Sequence, residues 1–242
     1  MLETIKSILK KKPLVLCIHG FGHRRSNEYN NFKLWGSKEF EFITFDIFDV
    51  DDKLDTNSDE WIMRCENKLK ELLKSNREVS IIGFSMGGVI ATYLASKYKI
   101  KKLFLIAPAF EFINVKSVLN AITQMMNNQT SSLTMSKEQT ACFMEVVAKC
   151  KDSIHLIICP TLMVHGDSDD VISVRSSIHN YSLIPHDQKR LIILHGGPHR
   201  LMLNPHTSNE VYQLFKLFMN NQIITNHLQL ADDPYRKIEN SN

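Results

Sequence analysis

The sequence predicts an α/β fold, a doubly wound, mostly parallel sheet of six strands in one domain over residues 1–242, with a short helical cap at 111–155. Three observations lead there. Apolar runs of strand length recur along the chain and are separated mostly by helical periodicity, the pattern of a parallel sheet covered on both faces. Eight of the nine glycines fall in four short stretches, each at or just past the carboxyl end of a predicted strand. One interval between strands, about fifty residues from Pro108 to Pro160, far exceeds what a crossover needs. A chain of 242 residues, 43% hydrophobic and 23% charged, has ample material for a buried core.

The elements follow in order. In "MLETIKSILKKKP", Leu2, Ile5, Ile8 and Leu9 share one helical face, which suits a docked terminal helix or, as the alternative, a surface anchor. It lacks the continuous apolar core and small-residue cleavage site of a signal peptide. "PLVLCI" (13–18) reads as a buried strand and "FEFITFDIF" (40–48) as the next. "NSDEWIMRCENKLKELLKS" (57–75) opens on Asn or Ser caps and places Trp61, Ile62, Cys65, Leu69, Leu72 and Leu73 on one face of a helix. Strands at 79–84, 101–108, 160–166 and 190–196 follow, with helices from Met86 and over 208–220. The tail beyond Ile223 has little to hold it.

The long interval carries two helical patterns. "NVKSVLNAITQMMNN" aligns Val115, Val118, Leu119, Ile122, Met125 and Met126, and "SKEQTACFMEVVAKC" begins with a capping-box pair, Ser136 and Gln139. A crossover helix plus one extra would explain them. Four of the ten methionines lie here, however, and an adaptable apolar surface suits a lid over a site.

Bulk properties exclude several classes. A net charge of +3, with no basic block longer than Lys10–Lys12, argues against nucleic acid as a partner. The longest apolar runs are of strand length, so no integral membrane segment is expected. The five scattered cysteines read as reduced core residues, and hence as a mark of a cytoplasmic protein.

In an open parallel sheet the carboxyl ends of the strands line up along one edge, where ligands bind. The glycine stretches therefore converge on a site. Within it, "GFSMG" fits G-x-S-x-G between a strand and a helix, a turn that lifts the Ser85 hydroxyl clear of the backbone. A serine hydroxyl attacks only when a base takes its proton, and the base needs an orienting carboxylate. "DSDDVI" offers Asp167, Asp169 and Asp170, and "HGGPHRLML" offers His195 and His199. His195 sits on the strand end, whereas His199 lies in the loop proper, where a ring can swing toward Ser85. Asp167 belongs to the strand end; Asp169 is placed where a β-turn can aim it at the histidine loop, and a different turn would substitute Asp170.

Charge developed on the substrate needs backbone donors. The N–H of Met86 stands directly after Ser85 at a helix N-terminus, and the loop "HGFGH" supplies the N–H of Phe21, with Gly20 permitting the turn. His19, His23 and His165 match no zinc spacing, so no metal is expected.

These residues resemble the α/β-hydrolase superfamily over Leu14–Asn220, with "HGFGH", "GFSMGG", "HGDSDDVI" and "GGPHRLML" in family order. Within it the chain is similar to the small bacterial carboxylesterase and monoacylglycerol-lipase-like group, which also carries a two-helix cap. In that family the acid lies three residues after the strand-ending glycine and an apolar pair follows, the places of Asp169 and of Val171 and Ile172. The chain departs in lacking the first two of the eight strands. The resemblance implies hydrolysis of small-molecule carboxylic esters with short to medium acyl chains, without a cofactor. Ser85, Asp169 and His199 are the implied triad, with substrate lying against Gly20, Met125, Met126 and Val171. A thioesterase or lysophospholipase with the same triad is the nearer alternative; a silent hydrolase-fold binding protein or an acyltransferase is the more distant one.

Overall fold

Six parallel strands hydrogen-bond in the order β2-β1-β3-β4-β5-β6: β1 Leu14–Ile18, β2 Glu41–Thr44, β3 Val79–Phe84, β4 Leu103–Ile106, β5 Thr161–Gly166 and β6 Lys189–Leu194. The structure is a computed structural model and describes residues 11–22, 24–111 and 135–223. The expected helix at 1–10, the first cap helix with Met125 and Met126, and the tail from 224 lie outside those residues. In register, Ile18 stands beside Gly83 and Gly166 beside Leu194. The chain steps from β1 outward to β2, then returns across β1 to β3. That reversal opens a crevice between the loops that follow β1 and β3.

Alternation along the strands separates two cores. Leu14, Leu16 and Ile18 face a layer built with α2 (Ser58–Leu73), α3 (Met86–Lys97) and α4 (Lys137–Cys150). Val15 and Cys17 face the opposite layer, where α1 (Asn30–Gly36) and α6 (Ser208–Met219) bring Phe32, Phe215 and Phe218 against Phe40 and Phe104. Several of these rings meet edge to face, as Phe32 does with Tyr212 at 5.4 Å between centroids.

The helices begin where their caps do. The Asn57 side chain accepts the N–H groups of Asp59 and Glu60, and α2 buries Trp61, Ile62, Cys65, Leu69 and Leu72. At α4, Ser136 and Gln139 form the reciprocal capping box, and the helix buries Cys142, Phe143, Val146, Val147 and Cys150. All five cysteines are buried thiols.

Two differences from the sequence reading have physical causes. The apolar run 40–48 pairs as a strand only over Glu41–Thr44, because the Ile47 N–H donates to His19 Nε2 (2.8 Å) and Phe48 stacks on Trp61 at 4.3 Å, turning the chain off the sheet edge. Two helices, α1 and α5 (Val174–Leu183), carry too little apolar periodicity to stand out. α5 starts on a Ser173 cap that accepts the Arg175 N–H.

Candidate active site

The crevice is floored by the turn from β3 into α3. Ser85 sits between them at φ 53°, ψ −118°, a conformation costly for a residue with a side chain. Backbone bonds hold it there. Its N–H donates to Ile106 O (3.0 Å), and its carbonyl accepts from Gly88 (2.9 Å) and Ala109 (3.1 Å). A Cβ on Gly87 would overlap the Ile18 carbonyl, so only glycine lets α3 start this close to β1.

His199 reaches the serine from the loop after β6. Its ring is 5% exposed and lies beside Phe84, with Nε2 3.2 Å from Ser85 Oγ and Nδ1 2.8 Å from Asp169 Oδ2. The carboxylate accepts only, so Nδ1 carries the proton and Nε2 is left to accept from the serine. The acid loop and the histidine loop are joined directly. Ser168 N–H donates to Gly197 O (3.1 Å), and a Cβ on Gly166 would overlap that same carbonyl.

Asp169 is the most heavily engaged carboxylate of the site. Its side chain is fully buried; Oδ1 accepts the N–H groups of Val171 and Ile172, each at 2.8 Å, and Oδ2 faces both His199 and His165. Burial alone would raise its pKa, but the hydrogen bonds from His165 and then His199 outweigh it and hold the carboxyl well below its ordinary range. Asp170, next in the chain, is exposed. Asp167 pairs instead with His195: Oδ2 lies 2.8 Å from Nδ1, Oδ1 accepts the Gly196 N–H at 2.7 Å, and the His195 side chain is 99% exposed.

The loop after β1 is held at both the N–H and the carbonyl of Gly20. Gly20 N–H donates to Glu28 Oε2 (3.0 Å), while His19 Nδ1 donates to Gly20 O (2.7 Å) and its Nε2 accepts from Ile47. Fixing the Gly20 carbonyl fixes the plane that contains the Phe21 N–H, because they belong to the same peptide. Burial lowers the His19 pKa to about 4, which leaves its ring neutral, and raises that of Glu28 to about 7. Neither the Phe21 nor the Met86 amide donates to another described residue. Gly20 lies against the serine, since a Cβ there would stand 3.2 Å from Ser85 Cβ. The Phe21 ring stacks on Phe143 of α4, 5.0 Å between centroids and 11° from parallel.

The remaining expected positions fall as follows. Val171 turns its side chain into the core and its amide to Asp169. Met86 is buried, with its amide opening α3. His19 and His165 occupy both ring nitrogens with protein partners, and no group of three or more metal-ligating side chains assembles among the described residues.

A family model described as "Uncharacterised protein family (UPF0227)" matches residues 14–216. The chain belongs to the UPF0227 family. Its curated relative "Putative esterase/lipase 2" of Mycoplasma genitalium is 27% identical over 149 residues, 57% of this chain and 54% of the relative, so the UPF0227 chain matches about half the length of that protein. Among solved structures it is similar to the monoacylglycerol lipase of Paleococcus ferrophilus (TM-score 0.68, 15% identity, 87% of this chain and 96% of that one). It is also similar to a soluble variant of the Saccharomyces cerevisiae monoglyceride lipase (TM-score 0.70, 17% identity, 88% and 87%). An Exiguobacterium antarcticum esterase aligns likewise (TM-score 0.65, 16% identity, 88% and 93%). These likenesses establish the α/β-hydrolase fold for the UPF0227 chain. No helix among its described residues is long and apolar enough to cross a membrane.

Three residues near this site escaped the sequence reading. The sequence sets His165 beside His19 and His23 only as a metal ligand, although its place four residues before Asp169 is a usable signal. Glu28 reaches the site through tertiary packing and nothing local in the sequence marks it, whereas Phe143 lies on the apolar face of the second cap helix and only its contact with Phe21 is left to packing.

Proposed function

We propose that this UPF0227 protein is a serine hydrolase of carboxylic esters that works through an acyl-enzyme. The observation that carries the reading is the continuous array Ser85 Oγ–His199–Asp169, mounted on a strained strand-to-helix turn. His199 Nε2 takes the Ser85 proton as Oγ attacks the ester carbonyl. Asp169 holds the ring in the Nδ1–H tautomer and steadies the imidazolium. The amides of Phe21 and Met86 receive the oxyanion, aided at Met86 by the N-terminal end of α3. The imidazolium then protonates the departing alkoxide, leaving an ester on Ser85. A water molecule, deprotonated by His199, attacks that ester and releases the carboxylic acid and free Ser85.

The substrate class is a small ester with a short to medium acyl chain. The stacked Phe21–Phe143 pair puts apolar surface from α4 beside the oxyanion loop, which favours residues 111–155 as a cap over the acyl group. Gly20, Met125 and Met126 stay the proposed substrate contacts; Val171, with its side chain in the core and its amide given to Asp169, is not among them. The cysteines, all unpaired and buried, suit a cytoplasmic enzyme.

The test is direct. The wild-type protein should hydrolyse a chromogenic acetate or butyrate ester and take up a fluorophosphonate probe at Ser85. Ser85→Ala should stay folded, lose all labelling and lose turnover by about 10⁶-fold. Labelling that persists in the alanine variant refutes the nucleophile. Matched oxygen and sulfur esters then identify the bond, and an acyl-chain series reads the depth of the pocket.

A further inference from the structure

Asp169 meets a second imidazole that the chemistry above does not use. His165, the penultimate residue of strand β5, is completely buried, with Nε2 3.0 Å from Asp169 Oδ2 and 3.0 Å from the carbonyl oxygen of Ile172. Its Nδ1 lies 2.6 Å from Ser177 Oγ, on α5. Both neighbours of Nε2 can only accept, so Nε2 bears a proton. The Ser177 hydroxyl is buried too, and among the described residues no other acceptor takes its proton. It therefore donates to Nδ1, which fixes a neutral ring with its N–H aimed at the acid.

We propose that His165 is a positioning residue for Asp169, and that Ser177 sets its tautomer. The relay then extends from Ser85 through His199, Asp169 and His165 to α5. This rests on the hydrolase reading only for its consequence on turnover.

The physical argument concerns the rotation and basicity of the carboxylate. The amides of Val171 and Ile172 fix Oδ1 from one side, but they leave Oδ2 to be located by its own partners. His199 cannot both depend on Oδ2 for its orientation and be the group that locates it. His165, anchored in a strand and in a helix, supplies the independent reference. Its N–H also draws charge from Oδ2, so Asp169 holds a protonated His199 less tightly than a bare carboxylate would.

The experiment uses the full chain with His165→Phe, which keeps a ring and removes the N–H, and Ser177→Ala. It measures kcat and KM on a chromogenic acetate ester, and the titration of the His199 ring by NMR in the free protein. His165→Phe should lower kcat about tenfold with KM changed less than about twofold. The His199 titration, and with it the rising limb of kcat/KM against pH, should move upward by about half a pH unit. Ser177→Ala should move both in the same direction by less, and it decides the matter if His165→Phe does not fold. A folded variant with wild-type kcat and an unmoved His199 titration overturns the proposal, as does a downward movement. A side chain that merely packs under the sheet would lower the melting temperature and leave the titration in place. Failure of the hydrolase reading looks different, because a wild-type protein without turnover or labelling still leaves the NMR titration to decide the role of His165.

Discussion

Two histidine–aspartate pairs stand on the same two loops, His199 with Asp169 and His195 with Asp167. In each, Nδ1 lies 2.8 Å from a carboxylate oxygen. Everything else differs. The inner pair is buried, its acid accepts from two backbone amides and two imidazoles, and the far nitrogen of its histidine faces a serine held in a strained turn. The outer histidine is almost wholly in solvent, and no second partner engages its Nε2 among the described residues. The donor–acceptor distance therefore does not distinguish the two pairs. Burial raises the strength of the interaction, and the serine on the second nitrogen gives it something to do.

The largest test of that contrast is Asp169→Asn. The amide keeps the size of the side chain but no longer holds the Nδ1–H tautomer of His199, and kcat should fall about 10⁴-fold, the scale known for such a change in a protease triad. His199→Ala should be inactive in the same assay. Turnover within tenfold of wild type for Asp169→Asn would break the distinction between the two pairs and would point to Asp167 or Asp170 as the acid.

Why the inner pair could be read from the sequence, and its support could not, is a matter of range. Ser85 stands in a pattern five residues long at a strand–helix junction, and His199 and Asp169 follow strands whose ends must meet on one edge. Those relations are local, or are imposed by parallel topology. The same holds for the six strands and for the α2 and α4 caps. Glu28, by contrast, approaches Gly20 because α1 and the turn before it fold back under β1. Phe143 approaches Phe21 because α4 packs on α2 and α3. The truncation of β2 depends on the contact of Ile47 with His19, 28 residues away. Each of these is decided by packing, which no short window of sequence contains.

Glu28 sharpens the contrast from another direction, since it is a buried carboxylate with a single donor among the described residues, the Gly20 N–H. Asp169, with four donors, stays ionised; in Glu28 burial prevails and the pKa rises to about 7. The unfolded chain releases that proton nearer the ordinary value of 4.5, so the stability Glu28 contributes is lost as pH climbs from about 4.5 to about 7. His19 has the opposite sign. Its folded pKa of about 4 lies below the ordinary 6.5, so its contribution grows over that interval. Each displacement is worth about 3 kcal/mol, and between pH 4.5 and 6.5 the two oppose. Glu28→Gln keeps an oxygen to accept from Gly20 and removes one of the two. Its urea-unfolding free energy should then rise by about 1–3 kcal/mol from pH 4.5 to 6.5, more steeply than in wild type. Parallel curves for the two proteins would show that Glu28 titrates normally and that a single amide donor suffices.

The smallest effect belongs to the outer pair, and its smallness is the point. If distance alone conferred function, His195→Ala and Asp167→Asn would each impair turnover as much as is expected of their inner counterparts. The structure gives a different expectation. His195 is open to water, so its attraction to Asp167 is screened and little is lost when the ring is removed. Asp167→Asn is the more informative change, because Oδ1 also accepts the Gly196 N–H in the loop that carries His199. An asparagine retains an oxygen for that amide and surrenders only the imidazole contact. We expect kcat within about twofold of wild type for His195→Ala, and a loss below about tenfold for Asp167→Asn, 1.4 kcal/mol being the limit that figure represents. Asp167→Ala removes the Gly196 acceptor as well and should cost more than Asp167→Asn. That order would assign Asp167 to loop geometry, and a reversed order would assign it to the charge on His195.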